Sequence, residues 1–159
     1  MRNLWFASVV SLLAIAWAGV AQAASSTDRE RDWDWCNGTV DGGVPNDVQI
    51  AGCSARIDSG EESDTNLFVA HYNRGFAYYN KGDYDQAIAD YALAIALKPG
   101  EATAFTGRGL AYFHTGQYES AASDFGQAIR LRPANADAYY QRATAYAAHS
   151  PEGPKLNSW

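Results

Sequence analysis

The stretch FVAHYNRGFAYYNKGDYDQAIADYALAIALKP, Phe68–Pro99, is followed by a second stretch on the same plan, ATAFTGRGLAYFHTGQYESAASDFGQAIRLRP, Ala102–Pro133. At an offset of 34 residues, Arg74-Gly75 recurs as Arg108-Gly109, Tyr78 as Tyr112, Gly82 as Gly116 and Tyr84 as Tyr118. Ala87 recurs as Ala121, Asp90 as Asp124, Tyr91 as Phe125, Ala94-Ile95 as Ala128-Ile129, and Leu97-x-Pro99 as Leu131-x-Pro133. A third copy begins at Ala136, with Arg142, Ala143 and Tyr146 in phase. So many matches in one register exclude coincidence.

Each copy holds two apolar-periodic stretches separated by a glycine-containing break, the pattern of a helical hairpin. In the first copy one helix runs from Phe68 to Asn80 and ends at Lys81-Gly82, where glycine is free to take positive φ. Asp83 is expected to cap the second helix, with Gln86 completing a capping box. Pro99 stops that helix. Gly75, Ala87 and Ala94 fall where helices approach closely, and Tyr78 and Tyr91 fill the space between them. One hairpin cannot bury its apolar face alone, so the copies stack.

Over residues 68–133 the sequence resembles the tetratricopeptide repeat family. Gly75, Tyr78, Ala87, Tyr91, Ala94 and Pro99 match the family's small, aromatic, alanine and proline positions, and Gly109, Tyr112, Ala121, Phe125, Ala128 and Pro133 repeat the match. His71, Phe105 and Tyr139 stand where the family has tryptophan, and Arg74, Arg108 and Arg142 where leucine is usual. The resemblance implies an all-α, right-handed solenoid: repeats at 68–101 and 102–135, a partial repeat at 136–149 and a tail at 150–159. It also implies a concave groove lined by the first helices. By position the groove residues are Val69, Tyr72, Asn73, Phe76 and Asn80, then Thr103, Thr106, Leu110, Phe113 and His114, then Tyr140, Gln141 and Thr144. Chaperone-binding members clamp a terminal carboxylate with lysine and arginine. Here those positions hold Val69, Thr103, Gly107 and Asp137, so such binding is not implied. The groove is aromatic and amide-rich, suited to a peptide or helix with apolar anchors.

Upstream, Ile50–Ile57 can be laid on Ile88–Ile95, which puts Cys53 at the position of Tyr91. Pro45, Asn46 and Gln49 give a helix start. The expectation is one leader helix, Asp47–Asp58, an irregular segment Trp33–Gly43 tied to it through Cys36, a polar linker Ser59–Asp64, and about six helices in the mature chain. This leader running into repeats looks like small secreted repeat proteins of proteobacteria. Before it, Arg2, the apolar run Leu4–Val20 and Ala21-Gln22-Ala23 form a signal-peptide pattern with cleavage near Ala23. The run is as long as a short membrane span, so an anchor is the other reading. Cleavage leaves a periplasmic or secreted chain with no stable membrane insertion. An exported chain whose only cysteines are Cys36 and Cys53 invites a disulfide; two buried thiols are the alternative.

The net charge of −6 excludes a nucleic-acid partner, which needs clustered lysine and arginine. No phosphate loop, nucleophile elbow or zinc motif occurs, and His71, His114 and His149 do not converge. The reading is therefore non-catalytic, without cofactor or metal. Asp90 and Asp124 follow Arg74 and Arg108 in step across each hairpin. They read as structural ion pairs rather than as a cation row for an acidic ligand. Two function classes stay open. One is an adaptor that binds another protein or peptide. The other is a structural protein that forms a weak homodimer through its unfinished C-terminal repeat.

Overall fold

The computed structural model describes residues 26–38 and 43–150. The signal-peptide residues and most of the tail, 151–159, lie outside the described residues. Seven helices follow one another among those described: α1 at residues 26–37, α2 at Asn46–Asp58, α3 at Asp64–Lys81, α4 at Tyr84–Leu97, α5 at Ala102–His114, α6 at Tyr118–Leu131 and α7 at Ala136–His149. Each packs on the next, so α1/α2, α3/α4 and α5/α6 form successive hairpins and α7 covers the last. None of these helices is long and apolar enough to cross a membrane.

The leader carries two helices rather than one. The segment expected to be irregular from Trp33 is helical up to Asn37. Its charges, Asp28 to Asp32 and Asp34, conceal the apolar pair Trp33 and Cys36, which lie three residues apart on one helix face. That face packs on α2: Cys36 and Cys53 are fully buried beside Ala70, with Trp33 and Ile57 against them. The two cysteines form a disulfide with an S–S distance of 2.08 Å. Gly52 permits the close approach, since a Cβ there would lie 2.8 Å from the Asp32 carbonyl oxygen.

Helix α3 starts four residues before the repeat register. Ser63 caps it, its hydroxyl accepting from the Asn66 amide at 3.3 Å. At its other end Gly82 sits at φ 82° and the Asp83 amide donates to the Tyr78 carbonyl at 3.0 Å. The Asp83 backbone sits at ψ 64°, away from the extended conformation of a capping residue. The expected capping box with Gln86 does not form, and the Asp83 side chain makes no cap bond.

Small residues set the helix spacing within the repeats. Ala87, Ala94, Ala121 and Ala128 are fully buried, and Tyr91 and Phe125 are the large side chains between helices. A Cβ on Gly109 would meet the Phe125 ring at 2.9 Å. Gly109→Leu is expected to cost about 1–3 kcal/mol by overpacking. Urea denaturation checks this; an unchanged midpoint would contradict the assigned α5–α6 contact.

Candidate functional site: a tyrosine-floored groove

Helices α3 and α5 lie side by side with α4 behind them. Between them opens a concave pocket of about 200 Å³ lined by Tyr72, Phe76, Tyr79, Tyr91, Thr103, Thr106, Gly107, Leu110 and Asn135. No lining residue is charged. Tyr91 reaches it from α4 because Gly107 has no side chain: a Cβ at Gly107 would fall 2.6 Å from Cζ of Tyr91. Tyr72 leans on Tyr91 with ring centroids 5.7 Å apart and planes 58° apart, and Phe68 stacks behind Tyr72 at 6.1 Å. Burial pushes the phenols of Tyr72 and Tyr91 above their ordinary value, as it does Tyr79, which also feels Tyr84. All three are neutral hydrogen-bond donors near neutral pH.

Of the positions read from the repeat phase, Tyr72, Phe76, Thr103, Thr106 and Leu110 meet in this pocket. The others do not line it. Asn73 donates to the Asn37 side chain at 3.2 Å, because α1 packs nearby. His114 stacks on Tyr84 at 4.7 Å and lies 3.0 Å from the Tyr79 hydroxyl, so the neighbouring hairpin holds it. Phe113 packs into the α5–α6–α7 cluster and meets Tyr118 edge-on at 5.3 Å. Val69 is half-buried and Asn80 exposed at the groove's margins. On α7, Tyr140 is exposed, Gln141 half-buried, and the Thr144 hydroxyl donates to the Tyr140 carbonyl at 3.0 Å. Gly107 was placed in the groove only as a clamp position, and Tyr79, Tyr91 and Asn135 were not foreseen as lining. Tyr79 precedes Phe113 by one period, a signal that was available. The Asn135 side chain also caps α7, accepting from the Ala138 amide at 3.3 Å.

The repeated arginines lie away from the pocket. Arg74 grips Asp90 with two bonds of 2.8 Å and donates to Ser54 at 2.9 Å. Arg108 grips Asp124 at 2.7 and 2.9 Å. Arg142 lies over the Tyr139 ring, 5.6 Å from its centroid. Nδ1 of His71 is 2.9 Å from Asp90. A carboxylate only accepts, so Nδ1 carries the hydrogen. Burial pushes the Asp90 carboxyl up, but the bonds from His71 and Arg74 outweigh it and hold the group below the usual carboxylate range. Among the described residues, no three His, Cys, Asp or Glu side chains form a group that could hold a metal ion.

A tetratricopeptide repeat model matches residues 75–150. No curated protein matches the chain. Among solved structures, the first such domain of human RPAP3 is 27% identical, with a TM-score of 0.59, covering 65% of this chain and 78% of its own. The first domain of Spaghetti (RPAP3), bound to the HSP90 peptide SRMEEVD, is also 27% identical at a TM-score of 0.59, covering 65% of this chain and 80% of its own. The Arabidopsis OM64 domain shares the fold at 22% identity and a TM-score of 0.61, covering 77% and 94%. Hairpin period, small-residue contacts and these likenesses agree: residues 75–150 of this chain are tetratricopeptide repeats.

Proposed function

We propose that the protein is a non-catalytic interaction module that binds a peptide or helix of another protein in the groove between α3 and α5. The observation that carries this reading is the uncharged, aromatic pocket of about 200 Å³. Ligand grooves are concave, mostly apolar and carry a few convergent polar groups. The peptide-bound Spaghetti domain supports the same use of the fold. A photo-crosslinking amino acid in place of Thr103 is expected to capture the partner, and one in place of Ala96, exposed on α4, is not. Equal capture from both positions would overturn the groove as the binding face.

The proposal includes export through a cleavable leader to the periplasm or beyond. Its support is the Arg2, Leu4–Val20 and Ala21-Gln22-Ala23 pattern and the buried Cys36–Cys53 disulfide, a bond suited to oxidising compartments. Mass spectrometry of protein made in a Gram-negative host is expected to show a chain starting near Ala24. An intact Met1 on soluble cytoplasmic protein would contradict export.

A second reading, self-assembly through the outer face of α6 and α7, is favoured by the exposed apolar side chains there. Leu131, Tyr139 and Tyr146 are 42%, 44% and 59% exposed. Burying such side chains is worth roughly 1.5–3 kcal/mol each. A concentration-independent monomer in sedimentation would exclude this reading.

A further inference from the structure

We infer that the groove selects a peptide with one large, uncharged apolar side chain and a lysine or arginine about three residues away, and that it rejects acidic C-terminal tails. This rests on the groove being the binding face. The pocket takes the anchor: Tyr72, Phe76 and Leu110 form apolar walls, and Tyr91 forms the floor. Tyr91 is 2% exposed and lines the pocket, and its phenol O–H is a hydrogen-bond donor. It therefore offers a donor to the peptide carbonyl beside the anchor. A carboxylate entering the same pocket would lose its water with no cation to meet it, a costly transfer that one phenol bond does not offset.

The basic residue follows from the repeat register. Val69, Thr103 and Asp137 occupy the same position in three successive copies. Thr103 lines the pocket, and Asn135, two residues before Asp137, lines it as well. Asp137 is the charged member of the three. No cation lines the pocket. Arg74 and Arg108 are held by Asp90 and Asp124. The Lys98 ammonium lies over the Phe68 ring, 5.4 Å from its centroid. Packed helices stand about 8–10 Å apart. An extended peptide rises about 3.3 Å per residue. A step from the pocket to Asp137 therefore spans about three residues.

The test is selection of a random nonapeptide library on the purified protein, with SRMEEVD as a separate probe. Selected peptides are expected to carry Leu, Met, Phe, Tyr or Trp at one position and Lys or Arg two to four residues from it. Alanine in place of the anchor is expected to weaken binding at least tenfold, and SRMEEVD is expected not to bind. Asp137→Lys is expected to weaken selected peptides about fivefold or more and to remove the preference for a basic residue. Selection of acidic peptides, binding of SRMEEVD, or indifference to Asp137→Lys would overturn this inference while leaving the groove as a binding face. Thr103→Trp, at an exposed position on the pocket rim, is expected to abolish binding. If selected peptides bind that variant as before, the groove reading itself falls.

Discussion

Asp90→Ala is expected to destabilise the protein by about 3–5 kcal/mol at neutral pH, the range for removing one partner of a buried ion pair. Asp90 is 3% exposed and accepts from His71 and from two nitrogens of Arg74. Arg74 also reaches Ser54, so the carboxylate joins α2, α3 and α4. Removing it strands a half-buried guanidinium and a buried imidazole. The second hairpin provides the comparison. There Phe105 stands in the register of His71, and Asp124 has Arg108 as its partner, so Asp124→Ala is expected to cost less. The pH dependence has a definite sign. The folded carboxyl lies below its ordinary value of 3.8. Its stabilisation is therefore present above that value and is lost as pH falls through the lower folded value. Denaturation at pH 7 and near pH 3 should show the gap between wild type and Asp90→Ala narrowing in acid. Equal stability at pH 7 would show that the network does not hold the hairpins together.

The repeats were legible because their contacts depend on residue size. Gly75 under Asp90 and Tyr91, and Gly109 under Phe125, leave the same imprint once per hairpin. Helix α1 was hidden for the opposite reason. Its stability comes from Cys36, Trp33 and the Arg56 guanidinium 5.0 Å over the Trp33 ring, all tertiary contacts. Its local sequence is dominated by charge, with Arg31 paired to Asp28 at 2.8 Å. The groove was half legible. The family resemblance, carried along the repeat phase, placed Tyr72, Phe76, Thr103, Thr106 and Leu110, but it could not show that Tyr91 is both core and pocket floor. That dual role depends on the missing side chain of Gly107, across the repeat boundary. Phase also put His114 on the groove, whereas the ring of Tyr84 captures it.

Cys53→Ser is expected to cost about 2–5 kcal/mol, the usual loss when a native disulfide is removed from a small domain. The bonded cysteines are 17 positions apart in sequence, and cross-linking a loop of about that length restrains the unfolded chain by roughly 3 kcal/mol. The loss should fall unevenly on the array. Among the described residues, α1 packs on α2, and α2 in turn covers α3 at Ala70. Without the bond, α1 retains Trp33 and exposed ion pairs such as Arg29 with Glu61, and exposed pairs contribute little. Limited proteolysis of Cys53→Ser should therefore cut first within residues 26–44 and leave α3–α7 intact, while the urea midpoint falls. Wild-type protein treated with reductant under mild denaturant should follow the same course. The Cys36→Ser, Cys53→Ser double variant should match the single one, since both lack the same bond. If Cys53→Ser resists protease like wild type, apolar contacts alone hold α1, and the disulfide is not what fixes the first hairpin to the repeats.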